Sequence, residues 1–367
     1  MNNPAIQKPP QPGRREAMPL PEFALPPDLE ASSPPEARGL RRDQVRMMVS
    51  YISNHQVIHS RFDQLPGFLR PGDVLVINTS KTLNAALKVI RTDSLGLELH
   101  LSTRLAGNRW VVEVRQLARA KSLPYYALEI GQKLSLPGGG EAVLQEPYPR
   151  LMPRNRLWVA SLELPVQVEA YLDSYGFPIR YSYVHTQWPL AYYQNVYAAE
   201  PGSAEMPSAG RAFTPELITR LVAQGILFAP LVLHTGVASL EKDEKPYVEY
   251  YRVPAPTANL INMAHSEQGR VIAVGTTVVR ALQTVSDSGG MVHAGEGWTN
   301  LVITPGTTLA AIDGLLTGFH EPDSTHLSML LAIAGYEVIK LAYQQALKKG
   351  YLWHEFGDLH LILPTAV

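Results

Sequence analysis

The chain has 367 residues, 46% hydrophobic and 18% charged, which is enough apolar material for about two cored domains. Its 32 Lys and Arg nearly balance its 33 Asp and Glu, which excludes a strongly basic nucleic-acid coat protein. Cysteine is absent, so disulfides, thiolate zinc, iron–sulfur clusters and a thiol nucleophile are excluded together.

Charge is uneven along the chain. Residues 1–160 carry 21 basic and 14 acidic side chains, and the remainder 11 and 19, so a polyanion would meet the first part more readily. Arg38, Arg41, Arg42 and Arg46 form one basic cluster, and Arg150, Arg154 and Arg156 another. Charge runs are usually solvated faces. No run reaches the ~18 apolar residues of a membrane span. The apolar core of a signal peptide is missing too. A cytoplasmic location and no membrane partner are therefore expected.

Residues 1–37 hold ten prolines, so the segment loses backbone donors and is expected to be extended and mobile. Met47–Ile52 reads as a strand, Arg70–Asp73 as a turn, and Val74–Asn78 as a buried strand. Short β runs follow at Leu97–Ser102, Trp110–Arg115, Glu141–Gln145 and Leu157–Leu162, with a Pro137–Gly140 turn among them. That pattern suggests a small barrel or sandwich.

After residue 182 helices alternate with strands, as in an α/β core. Thr214 and Pro215 open a helix that Gly225 can end, and Ile226–His234 reads as a strand. Arg270–Gly275 is a further strand, and Thr276-Thr277 opens a helix behind it. Leu301–Ile303 is expected to be a strand. Asp323 or Ser324 caps a helical region broken near Gly335, and Leu359–Leu363 closes the chain as a strand.

A strand running through Gly275 into a helix at Thr276 and Thr277 is a general ligand-binding geometry, but no dinucleotide or P-loop motif accompanies it. Residues 200–214 form a small-residue-rich loop with Ser203, Ser208 and Arg211 as polar groups. His55 and His59 have the only His-x-x-x-His spacing, without the Glu or third ligand of a zinc protease, so no metal is expected. His234 and His320 are candidate general bases; a satisfied structural histidine is the commoner case for either alone.

Together these strings resemble the S-adenosylmethionine:tRNA ribosyltransferase-isomerase (QueA) family of queuosine biosynthesis. The resemblance runs from about Arg42 to the C-terminus. It is carried by Arg70–Asn78, Tyr193–Ala198, Glu200–Ser203, Ser208-Ala209-Gly210 and Phe213–Leu217. Leu233–Gly236, Glu249-Tyr250-Tyr251, Arg270–Leu282 and Gly297-Trp298-Thr299 continue it, and Pro305-Gly306, Phe319-His320, Ser324-Thr325 and Gly357-Asp358 complete it.

The resemblance implies a mixed α/β (α+β) protein: a larger α/β domain at 38–84 and 182–367 that binds S-adenosylmethionine, with a small antiparallel β-barrel inserted at 85–181. It implies ribosyl transfer from S-adenosylmethionine to a 7-aminomethyl-7-deazaguanine in tRNA, with isomerisation to an epoxycyclopentanediol and loss of adenine and methionine. S-adenosylmethionine is then a substrate, tRNA a partner, and the protein a monomer or weak homo-oligomer.

That chemistry needs a base at the carbon beside the sulfonium, acidic or aromatic groups for the cation, and exclusion of water. His234, Glu249, His320 and Asp358 are the catalytic candidates. Arg280, Thr276 and Thr277 are candidates to hold ribose or carboxylate oxygens. The other expected binding positions in the first half of the site are Tyr197, Ser203, Ser208, Gly210, Arg211, Thr235 and Gly236. Gly275, Pro305, Gly306, Ser324 and Thr325 complete the set.

Several polar strings depart from the family pattern. Asn-Asp-Thr-Arg-Val-Ile-Pro-Ala-Arg-Leu is replaced by Asn78–Leu87, which loses an acid and two arginines and gains Lys81, not a bidentate substitute for Arg. Ala212 stands where a histidine is usual, Ala238-Ser239-Leu240 replaces Gly-Thr-Phe, and Pro246–Glu249 replaces Met-His-Ser-Glu. Gly318–Pro322 replaces Asn-Phe-His-Leu-Pro, and Phe356–Ile362 replaces the usual closing string. Three readings stay open: the family reaction with compensating residues, a paralogue using S-adenosylmethionine with a different, small-molecule acceptor or cleaving it without tRNA, and an inactive binding protein.

Overall fold

The computed structural model describes residues 21–91, 95–118, 121–149, 155–237, 247–322 and 324–366. Expectations resting on residues 1–20, Arg150, Arg154, Ala238–Leu240, Pro246 and Asp323 lie outside the described residues. The early strands are β1 (Arg46–Tyr51), β2 (Val57–Arg61), β3 (Val74–Asn78), β4 (Ser80–Thr82), β5 (Ala86–Val89) and β6 (Leu97–Arg104). Next come β7 (Arg109–Ala118), β8 (Lys121–Pro124), β9 (Lys133–Ser135), β10 (Glu141–Tyr148) and β11 (Leu157–Glu163). The later strands are β12 (Glu200–Ser203), β13 (Leu227–Leu233), β14 (Glu249–Val253), β15 (Val271–Val274), β16 (Gly295–Thr299), β17 (Gly314–Gly318) and β18 (Leu359–Leu363). The helices are α1 (Val168–Tyr175), α2 (Pro215–Ala223), α3 (Ala255–Ser266), α4 (Thr276–Val285), α5 (Thr325–Ala334) and α6 (Tyr336–Lys348).

A nine-stranded mixed sheet in the order β16-β14-β13-β3-β15-β17-β18-β1-β2 forms the larger layer. Its centre, β13-β3-β15-β17, is parallel. Both faces are covered, and the strand residues divide accordingly. Val74, Val76, Val271 and Ala273 pack with α3 to α6, whereas Leu75, Ile77, Ile272 and Val274 pack with α2 and the 62–68 turn. Thr214 caps α2 by accepting the Leu217 N–H at 3.1 Å, and Ser324 caps α5 by accepting that of Leu327 at 3.1 Å. Gly335, at φ 79°, separates α5 from α6.

The second sheet is antiparallel, in the order β5-β6-β7-β11-β10-β9. The Ile90 N–H donates to Ser135 O at 2.8 Å across its open edge, so the sheet nearly closes into a barrel around Leu87, Leu99, Leu101, Val112, Val114 and Leu144. The opposite face of β6 is also buried, with polar Glu98, His100 and Ser102. Arg156 is buried and pairs with Glu113 at 2.9 Å, so it is not part of a solvated basic face.

Two expectations change. The Leu301–Ile303 run is not a strand; it is irregular backbone whose Leu301 O accepts Arg280 Nε at 3.1 Å. The neighbouring strands are β16 and β17, whose glycines weaken the local β signal. The mobile segment expected at 1–37 is docked where the structure describes it. Pro21, Ala31, Pro34 and Pro35 are buried, and Phe23 packs on Tyr343 and Trp353 with ring centroids 5.4 and 6.4 Å away. The basic cluster holds this strap: Arg38 donates to Phe356 O at 2.8 Å, Arg42 pairs with Glu36 at 3.4 Å, and Arg46 pairs with Asp358 at 2.8 Å. Among the described residues no helix is long and apolar enough to cross a membrane.

Candidate active site

Strands β3, β13 and β15 end at the same edge of the parallel centre, where ligands gather in open α/β sheets. Buried Asn78 ties their ends together. Its Nδ2 donates to Leu233 O at 2.8 Å and lies 3.4 Å from Thr277 Oγ1, while its Oδ1 accepts from Leu233 N at 3.0 Å and Ser80 N at 3.1 Å. Gly275 makes the turn from β15 into α4 at φ 99°, a region glycine enters without Cβ strain.

His234 follows β13. Its Nδ1 lies 2.7 Å from Ser80 Oγ, which lies 2.6 Å from Ser203 Oγ, and Ser203 Oγ accepts the Thr235 N–H at 3.0 Å. Its Nε2 faces Glu200 at 3.8 Å, and Glu200 is paired with Arg252. Tyr250 stacks on the ring at 5.6 Å. Gly202 is required here, because a Cβ would stand 2.5 Å from the imidazole. Burial holds His234 below the ordinary imidazole value; Glu200 opposes the shift and Arg252 adds to it. The ring is therefore a neutral base.

Glu249 opens β14 beside it. Its Oε1 accepts the Gly236 N–H at 2.9 Å and its Oε2 pairs with Arg280. The Arg280 side chain is 8% exposed. Its Nε is satisfied by Leu301 O, but one terminal nitrogen has no hydrogen-bond partner. A buried guanidinium N–H without an acceptor is a built-in donor for an anionic or carbonyl oxygen.

A second group adjoins the first. His320 Nε2 bonds Thr317 Oγ1 at 2.8 Å, and the ring stacks on His326 at 4.8 Å. Burial depresses the His320 imidazole well below its usual value, and His326, which is exposed, lines open space beside it. On the other side, Thr235 Oγ1 donates to Glu205 O, and the Glu205 carboxylate accepts the Tyr181 hydroxyl. Tyr181, Tyr183 and His354 form a parallel stack, with centroids 5.6 and 4.2 Å apart. The Tyr183 hydroxyl donates to Glu355, whose burial raises it to about 7.

The structure thus brings together Ser203, His234, Thr235, Gly236, Glu249, Thr277 and Arg280, with Gly275 and Thr276 at the head of α4. His320 adjoins them through His326, whereas the Ser324 hydroxyl is engaged as the cap of α5, which Thr325 begins. Other expected residues are engaged differently. Arg211 is buried, pairs with Glu36 at 2.7 Å and donates to Tyr192 O at 2.7 Å, so it anchors the strap. Gly210 admits the Tyr197 hydroxyl, which would stand 1.8 Å from a Cβ there, and Ser208 begins the same short turn. Asp358 accepts N–H groups from Arg46 and Leu352 and is committed to that pairing. Pro305 and Gly306 lie in a turn closed by Thr307 N–H to Thr304 O at 3.0 Å.

Sequence reasoning missed Asn78 and Ser80 as site residues, and also Glu200, Arg252, Tyr181, Tyr183, Glu205, His326 and Glu355. Asn78-Thr79-Ser80 carried a signal as part of an altered string, and Glu200 and Glu205 lie in the 200–214 loop that the sequence singled out. The others become neighbours through folding alone.

A family model described as queuosine biosynthesis protein matches residues 21–362. The chain is 37% identical over 351 residues to an S-adenosylmethionine:tRNA ribosyltransferase-isomerase of Moorella thermoacetica, covering 93% of this chain and 98% of that protein. It is 36% identical over 355 residues to one from Natranaerobius thermophilus, covering 93% and 97%. It also resembles the 2.00 Å crystal structure of S-adenosylmethionine tRNA ribosyltransferase from Thermotoga maritima, with 29% identity, a TM-score of 0.51, and 94% of this chain and 99% of that chain covered.

Proposed function

Because the chain belongs to the queuosine biosynthesis protein family, we propose that it transfers and isomerises the ribosyl group of S-adenosylmethionine onto a 7-aminomethyl-7-deazaguanine in tRNA, releasing adenine and methionine. The observation that carries this reading is the juxtaposition of a desolvated, neutral His234 with the Glu249–Arg280 pair. In the tautomer that donates Nδ1–H to Ser80 Oγ, His234 Nε2 is free to take a proton from the carbon beside the sulfonium. Arg280 offers its unsatisfied N–H to a substrate oxygen, the methionine carboxylate or a ribose hydroxyl. Glu249 orients Arg280 and the Gly236 N–H and so acts as a positioning group. Tyr250 supplies an aromatic face beside a cationic substrate.

One observation favours a second reading, a small-molecule acceptor. Glu205 and Glu321 stand beside the Tyr181–Tyr183–His354 stack, and their negative charge disfavours RNA phosphate there. Release of adenine and methionine from S-adenosylmethionine, with and without tRNA bearing the deazaguanine amine, tests both. Release that requires that tRNA supports the family reaction. Release without it supports the small acceptor or simple cleavage, and no release with substrate bound leaves a binding protein.

A further inference from the structure

Glu30, Glu321 and His354 come from three distant stretches of chain, yet each offers one ligand atom within 4.8 Å of the others. Trp353, fully buried, is the hub that joins them. Its N–H donates to Leu29 O at 2.8 Å, and its O accepts the Ala31 N–H at 3.3 Å, which fixes Glu30 alongside. Its indole N–H donates to His320 O at 3.2 Å, which draws in the loop bearing Glu321. His354 is the next residue.

His354 is the unusual member. Its side chain is 10% exposed and its Nε2 has no hydrogen-bond partner. That nitrogen lies 3.5 Å from Glu30 Oε1 and 3.8 Å from Glu321 Oε1, too far for good hydrogen bonds. Two ligand atoms that share a cation at about 2.1 Å stand roughly 3–3.5 Å apart; the His354–Glu30 pair already has that spacing, and the exposed Glu321 side chain closes the set by a small inward swing. The ring is braced by Tyr183, stacked 4.2 Å away, so the nitrogen is aimed rather than free to swing. Glu321, 59% exposed, leaves an open path from solvent.

We propose that Glu30, Glu321 and His354 form a site for one divalent first-row transition cation, of the zinc or manganese class, which fastens the strap at residues 21–37 to the wall of the cleft. One imidazole with two carboxylates is a mixed nitrogen and oxygen set. It suits such ions better than magnesium or calcium, which prefer oxygen alone. A dication also relieves the repulsion of two facing carboxylates. The strap carries Glu36, the partner of Arg211, so the cation would fix that contact as well.

The test uses the full-length chain, stripped with a chelator and titrated calorimetrically with Zn2+, Mn2+ and Mg2+. One site is expected, with Zn2+ or Mn2+ bound at least tenfold more tightly than Mg2+. Glu321→Gln, at an exposed position, should weaken binding at least tenfold without unfolding the chain. His354→Asn should do the same, since Asn tolerates the left-handed backbone at φ 71°. Zn2+ should raise the thermal midpoint of the parent chain more than that of either variant. No saturable binding of Zn2+ or Mn2+ overturns the site and leaves a histidine–carboxylate ion pair. Binding undiminished in both variants also overturns it, by placing the ion elsewhere.

Discussion

His234 is held by contacts that each set one property of the ring. Ser80 fixes its Nδ1, Tyr250 covers one face, and burial keeps it uncharged. His234→Gln removes the base, so adenine release should fall by more than about tenfold. Because the ring titrates below 6.5, kcat/KM of the parent should be flat above that pH and fall below it. An inflection above 6.5 would remove His234 as the base. Arg280→Lys keeps the charge for Glu249 but loses the second N–H, so KM for S-adenosylmethionine should rise about tenfold or more; an unchanged KM would clear Arg280 of substrate contact. His234, Glu249 and Arg280 were legible because each sits in a recognisable string. Ser80 and Glu200 also sit in noted strings, but their roles were not legible, since those come only from approach to His234. Asp358 lies in an equally recognisable string, and a string does not reveal that Arg46 and Leu352 already occupy its oxygens.

At the scale of elements, the sequence pattern showed buried strands through short continuous apolar runs and helices through their caps. It failed where an apolar run was spent differently. Ile303 is buried without joining the sheet, and Gly314–Gly318 forms a strand because β15 and β18 flank it. Proline content misled in the same way at 21–37. Proline removes donors, but Phe23, Leu25 and Leu29 still pack on the α5–α6 side of the core. A chain lacking residues 1–37 should therefore be destabilised by several kcal/mol, at about 1.5–3 kcal/mol per large apolar side chain fully buried, less for these partly buried ones. Its urea midpoint should drop. A midpoint equal to that of the parent would show that the strap contributes no net stability.

At the scale of the molecule, desolvated histidines couple stability to pH. His360 is fully buried on Phe319 and Ser50, and burial pushes it down to about 3. Burial likewise depresses His320, well below the usual value. The unfolded rings titrate near 6.5. Between the folded values and 6.5 the unfolded chain therefore binds more protons, so this stabilisation is complete above 6.5 and is lost as pH falls. Glu355, raised to about 7, opposes this: folded, it holds a proton that the unfolded chain releases above its ordinary value. Glu30 and Glu321 are raised by burial as well, and these three carboxyl groups against five depressed histidines leave a net loss on acidification. Each fully desolvated ring steepens the dependence by at most about 1.4 kcal/mol per pH unit. His360→Gln should shift overall stability by its own packing cost and also flatten the slope of unfolding free energy between pH 6.5 and 5. The slope separates the two effects, because a packing defect does not titrate. An unchanged slope in that variant would mean that His360 is protonated in the folded chain.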